Sequence, residues 1–298
     1  MIVDCHTHIW ADSAWLGQGA ADYLRLQCGK ADVQAGADDH AMAARAVARS
    51  LVLGRRCAKG DARGVPNDYI AQYVSRNSNK VVGIAGVNPV DDGAVDEAAE
   101  LLDKPEFRGL TCSPACQNFH PADSRAMRLY ELAQQRKAPV IFDDGPHFAA
   151  WSRMDYARPM LLDEIAREFP DLVIVVSAMG YPWTDEAIAL IGQHPNVLAD
   201  VAALLRRPWQ AYNALVLAYQ FNVMDKVLFG SDFPFFTAAE AIESVYRLHE
   251  ITQGTNMPSV PREALRSMVE RDALAALRIA RPGDGAGPAA EKPDEEEN

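Results

Sequence analysis

Three observations predict an α/β chain closed into a (β/α)8, or TIM, barrel. Eight short apolar runs, mostly rich in β-branched residues, recur between residues 2 and 230. Helical patterns fall between most of them. No glycine-rich phosphate turn follows an early strand, although a doubly wound open sheet would usually carry one.

Taken in order, the predicted strands are Ile2–His8, Ser50–Gly54, Val81–Val87, Gly109–Ser113, Pro139–Asp143, Leu172–Val176, Val197–Val201 and Val227–Gly230, of which Gly109–Ser113 is the weakest. Each is too short for a helix and apolar enough to be buried on both faces. The first crossover, 10–49, is long and holds two helical stretches. Asn67–Arg76 opens on an Asn that can cap it and places Ile70, Tyr73 and Val74 on one face. Asp123–Arg136 carries Met127, Leu129, Tyr130 and Leu132 at helical spacing, and Tyr156–Phe169 carries Leu161, Leu162, Ile165 and Phe169. Thr184–Gly192 opens on Thr184 as a cap. Trp209–Phe221, Ala238–Ile251 and a last segment, 261–279, complete the alternation.

The chain has 298 residues, 49% of them hydrophobic, enough for a sizeable core. One barrel is expected over 1–281, followed by a disordered tail, 282–298. That tail has six acids, one lysine and no apolar periodicity, for a net −5, which leaves −7 of the total −12 on the barrel. The acidic balance argues against nucleic acid as a partner. No run is long and apolar enough to span a membrane, and no signal-peptide pattern opens the sequence, so a cytoplasmic protein is expected. The five cysteines (Cys5, Cys28, Cys57, Cys112, Cys116) are scattered and odd in number, consistent with free thiols.

Function is expected where barrel strands end. Asp4-Cys5-His6-Thr7-His8 ends strand one. On a strand, residues two apart share a face, so His6 and His8 are expected together, with Cys5 and Thr7 on the other side. Two imidazoles on one face can grip one ion or one substrate. Asp143 ends strand five, Asp200 lies late in strand seven, and Gly230-Ser231-Asp232 ends strand eight. In a closed barrel strand eight pairs with strand one, which brings Asp232 beside the two histidines. Arg55-Arg56 and Arg206-Arg207 follow strands two and seven. Arginines in those loops suit an anionic small substrate, gripped by Arg55 and Arg206, while Trp183 can wall the pocket. His40, His194 and His249 are read as surface residues.

Asp4-x-His6-x-His8, the segment Ala178-Met179-Gly180-Tyr181-Pro182-Trp183 and the segment Leu228-Phe229-Gly230-Ser231-Asp232-Phe233-Pro234 together resemble the amidohydrolase superfamily over about 1–280. The closest likeness is to its amidohydrolase-related branch, which contains lactonases and aminocarboxymuconate-semialdehyde-type decarboxylases. The resemblance implies His6 and His8 as metal ligands and Asp232 as the strand-eight carboxylate that binds metal and takes the proton of the attacking water. Three positions depart from the pattern. Asp143 stands where members commonly carry a strand-five histidine. Ala178 stands where they often carry the strand-six histidine that polarises a substrate carbonyl. The strand-four lysine of some members is absent. Asp143, chosen over Asp144 from the family match, can still ligate.

The expectation is thus a metal-dependent hydrolase of a lactone, an amide or a similar C–O or C–N bond in a small carboxylated substrate. One divalent metal, zinc before manganese or iron, is held by His6, His8, Asp143 and Asp232, with Asp232 as base. A decarboxylase on the same scaffold, a metal-independent lactonase and a non-catalytic ligand-binding barrel stay open. A homo-oligomer is expected only from the superfamily's habit of pairing.

Overall fold

The computed structural model describes residues 1–17, 25, 33–56, 64–144 and 152–280. The expected tail 282–298, Cys28, Cys57 and much of the first crossover lie outside the described residues. The strands are β1 (Val3–Thr7), β2 (Arg49–Leu53), β3 (Val81–Gly86), β4 (Phe107–Cys112), β5 (Val140–Phe142), β6 (Ile174–Val176), β7 (Val197–Asp200) and β8 (Val227–Leu228). They form one eight-stranded sheet, paired in parallel in sequence order. The chain after β8 returns to β1 and closes the barrel. There the Cys5 N–H donates to the Phe229 carbonyl (2.9 Å), the Asp232 N–H to His6 (3.0 Å) and the His8 N–H to Phe233 (3.0 Å).

Burial on both strand faces produces two apolar layers. Val3, Cys5, Leu51, Leu53, Val82, Ile84, Ile141, Val173, Val175, Leu198 and Leu228 form the inner cluster, into which Leu274, Leu277 and Ile279 of the C-terminal turn also pack. That packing fills the barrel below the strand ends, as the stacked side-chain layers of such barrels do. The outer cluster joins the alternate strand residues, such as Leu110, Val140, Phe142, Ile174 and Val176, to the surrounding helices.

One local irregularity decides the direction of the opening motif. Cys5 packs in the inner cluster, not on the face away from the histidines, as regular alternation requires. The β1–β2 register shifts between Asp4 and Thr7. A bulge of this kind re-aims the side chains beyond it, so Cys5 and His6 both turn inward while Thr7 turns outward to the Leu51 carbonyl, 2.6 Å away.

Several helices differ from expectation for identifiable reasons. Ala94–Asp103 lies between β3 and β4 and was not predicted; it buries only Ala94, Ala98 and Leu101, too little bulk for a clear apolar stripe. Tyr156–Phe169 is not one helix. Pro159 holds Arg158 in extended geometry, and the segment divides into two 3-10 turns and the helix Asp163–Glu168. Asn67 does not cap its helix. It clasps β3 instead, donating to the Gly86 carbonyl (3.0 Å) and accepting from the Gly86 N–H (2.9 Å). Thr184 does not cap either; the cap position falls on Trp183, whose side chain makes no capping hydrogen bond. His40 and His194, expected at the surface, are buried. Among the described residues no helix is long and apolar enough to cross a membrane.

Candidate metal centre

The site is built at the C-terminal ends of the strands. His6 is buried and held from both sides of its ring. Its Nδ1 lies 3.0 Å from Asp200 Oδ2 and 3.4 Å from Ser177 Oγ, and its Nε2 lies 3.1 Å from His8 Nε2. His8 places its Nδ1 3.2 Å from the Leu53 carbonyl oxygen. A carbonyl can only accept, so His8 carries its proton on Nδ1. Asp200 already accepts the Ala178 N–H (2.9 Å) and the Ala202 N–H (3.0 Å) on Oδ1, and its Oδ2 is left for the His6 Nδ1–H. Both rings therefore present Nε2 to the same point.

Asp232 completes a tight group. One ligand atom from each of His6, His8 and Asp232 falls within 4.8 Å of the other two; His6 and Asp232 are buried and His8 is largely so. Asp232 stands in a left-handed conformation (φ 60°), which short polar residues tolerate better than most. The glycine two residues earlier is required by contact: a Cβ on Gly230 would lie 2.8 Å from His6 Cβ and 3.2 Å from Ala202 Cβ. Asp4 ties the two strands below the site, accepting the Ser231 N–H (2.8 Å) and the His6 N–H (3.3 Å). Asp143 stands beside the group, with one oxygen 3.6 Å from His6 Nε2 and the other 3.6 Å from His8 Nε2. Asp144 turns away. It accepts from Ser113 Oγ (3.0 Å) and the Ala115 N–H (3.0 Å), and burial pushes its carboxyl up to about 8.

Burial opposes charge on both rings. At His6 it is overcome by Asp200, Asp143 and Asp232, and the ring is pushed up to about 10. At His8 burial prevails and the ring is pushed down to about 4. Neutral pH thus leaves one proton between the two Nε2 atoms, on His6. Without it, two lone pairs would face each other 3.1 Å apart. A cation resolves the same conflict, and two imidazole nitrogens with a carboxylate oxygen are a donor set that zinc or manganese accepts. The residues fit a divalent ion.

Arg55 and Arg206 flank the group. Arg55 reaches Asp143 (3.6 Å), and Arg206 reaches Asp232 (3.3 Å) while stacking 3.8 Å above the Phe235 ring. His6, His8, Asp143, Asp232, Arg55 and Arg206 are thus neighbours. Trp183 lies half-buried at the start of the helix Thr184–Gln193. Ala178 is buried with φ 51° and offers only its backbone, to Asp200. Sequence reasoning noted Asp200 but gave it no role. Its position late in β7 was legible, but that it reaches across the barrel mouth to the ring of His6 was not.

A family model described as "Amidohydrolase" matches residues 3–279. No curated protein matches the chain. Three solved structures illustrate the likeness in fold. A probable 2-pyrone-4,6-dicarboxylic acid hydrolase from Acinetobacter baumannii, with citric acid bound, is 12% identical at a TM-score of 0.67, covering 93% of this chain and 99% of that one. An amidohydrolase from Burkholderia multivorans with bound zinc is 14% identical at 0.62, covering 94% and 100%. A dihydroxybenzoic acid decarboxylase from a Polaromonas species, with bound manganese and an inhibitor, is 14% identical at 0.59, covering 93% and 96%.

Proposed function

The chain belongs to the amidohydrolase family, and on that premise we propose that it is a metal-dependent hydrolase of a small, carboxylated substrate. The observation that carries the reading is the convergence of His6, His8 and Asp232 on one point, with both ring Nδ1 protons already committed elsewhere. These three residues, with Asp143 as a fourth donor, would hold one divalent ion, zinc before manganese or iron. When bound, such an ion supplies a Lewis acid and makes water a nucleophile near neutral pH. Asp232, which also meets the guanidinium of Arg206, would be the base that takes the proton of the attacking water.

Charge supports an anionic substrate. Asp4, Asp143, Asp200 and Asp232 outnumber Arg55 and Arg206 around the histidines. A dication that displaces the His6 proton adds one positive charge to the mouth and takes over part of the carboxylates' demand, and Arg55 and Arg206 can then turn to a substrate carboxylate, with Trp183 as a wall. Ala178 offers no side-chain donor to a substrate carbonyl, which favours one second reading: the same site releasing carbon dioxide from an aromatic or muconate-type acid.

Elemental mass spectrometry of the purified protein, beside His6→Ala and Asp232→Ala, tests the metal. About one ion per chain, lost in both variants, is the expected result. No ion even after zinc or manganese is supplied would defeat the reading. Screening carboxylated lactones, amides and aromatic acids with the loaded protein, while trapping carbon dioxide, then separates hydrolase from decarboxylase.

A further inference from the structure

His40 lies behind the metal group, outside the barrel, and its hydrogen bonds run in one fixed direction. The chain ends at the Leu51 carbonyl, which can only accept. It takes the single hydroxyl proton of Thr7 at 2.6 Å. Thr7 Oγ1 must therefore accept from the His40 Nε2–H, 2.9 Å away. His40 Nδ1 is left with its lone pair and accepts the Tyr73 hydroxyl proton at 2.8 Å. The ring is fully buried, and burial pushes it down to about 4, so it stays neutral. Its other contact is with Phe233, edge to face at a centroid distance of 5.3 Å.

Thr7 lies between His6 and His8, and Phe233 follows Asp232. These two residues also pair with each other, as an isolated parallel bridge on the β1–β8 side of the barrel. That side is the weakest-built: β8 has two residues, and it meets β1 through a few backbone bonds. All three residues of the tight metal group come from its two edges.

We propose that His40 is a positioning residue for the metal centre, its ring bridging Thr7 on β1 and Phe233 after β8 so that His6, His8 and Asp232 are held at one spacing. The proposal rests on the metal reading above, and its test separates the two. His40→Phe keeps the ring and the contact with Phe233 but removes both hydrogen bonds. Thr7→Val is the milder cut, and Thr7→Ser restores the hydroxyl. Asn196→Ala is the control: Asn196 donates to the Ala166, Phe169 and Leu172 carbonyls, away from this side of the barrel.

Two measurements are made on each purified chain: zinc affinity against a chromophoric chelator, and amide exchange of the metal-free protein. The informative amides are His8 and Asp232, which bond across β1–β8, with Val140 and Ile174 as far-side references. The expected result for His40→Phe and Thr7→Val is faster exchange at His8 and Asp232 alone, with zinc affinity down about tenfold. Thr7→Ser should match the wild type, and Asn196→Ala should lose stability but not affinity. Unchanged exchange at the two amides, unchanged zinc affinity despite faster exchange, or an equal affinity loss in Asn196→Ala would each overturn the proposal. If the wild type itself binds no zinc, the metal reading fails, and the exchange pattern alone decides the brace.

Discussion

Replacing Asp200 by asparagine tests the site at its least obvious point. The carboxylate accepts two backbone N–H groups on one oxygen and the His6 Nδ1–H on the other. An asparagine has one acceptor oxygen. If that oxygen keeps Ala178 and Ala202, the amide NH2 faces His6 Nδ1 and can only donate. His6 must then move its proton to Nε2 and lose the lone pair that the metal needs. The other rotamer sets the NH2 against two backbone donors and is worse. Loss of such an orienting partner costs about ten- to a hundredfold in metal affinity, or about 1.4–2.7 kcal/mol. Chelator-competition titration measures the affinity, and nitrogen NMR of the labelled ring reads the tautomer. Zinc affinity within about twofold of wild type, with the proton still on Nδ1, would refute the orienting role.

Other outcomes follow from the same geometry. Loading zinc at pH 7 should release about one proton, because His6 holds it up to about 10 while His8, at about 4, holds none; calorimetry in buffers of different ionisation enthalpy counts it, and a count near zero contradicts the shared-proton picture. His40 should contribute to acid lability. An unfolded histidine binds its proton below 6.5 and the native ring only near about 4, so the unfolded state holds more protons in that window and stability falls as pH drops through it. The full effect is roughly 3 kcal/mol, and the urea stability of His40→Phe should show a correspondingly flatter acid limb than wild type. Gly230→Ala should cost about 1–3 kcal/mol by overpacking and weaken metal binding, since its new methyl meets His6 Cβ; a variant with wild-type melting temperature and zinc affinity would contradict the contact. Once a substrate is found, Arg206→Met should raise KM about tenfold or more with little change in zinc content, as a lost charge-assisted hydrogen bond predicts.

The barrel was legible because parallel strands buried on both faces appear as short unbroken apolar runs, each ended by a polar residue. His6, His8 and Asp232 were legible for the same reason, as polar groups terminating buried strands of known order. The bulge in β1 was not, since a register shift depends on the partner strand and leaves no mark in alternation. Nor was the burial of His40. In Asp38-Asp39-His40-Ala41 it looks solvated, and only the fold sets its ring against Thr7 and Tyr73, which give it an acceptor and a donor, and against Phe233. The helix Ala94–Asp103 escaped notice because alanine fills its buried face. Asp200 stood in view, but its purpose depends on a distance across the mouth.

The tight group of His6, His8 and Asp232 draws on the first strand and on the loop after the last, and Asp143 beside it comes from the end of the fifth. During synthesis the two histidines leave the ribosome early and wait through nearly the whole barrel for their carboxylate. Before Asp232 is made, a nascent chain can offer an ion only the imidazole pair and, after the fifth strand, Asp143, a set that binds more loosely than a closed site. On the proposed reading, selection of an ion would be completed only when the ring of strands shuts and Asp232 joins the two histidines.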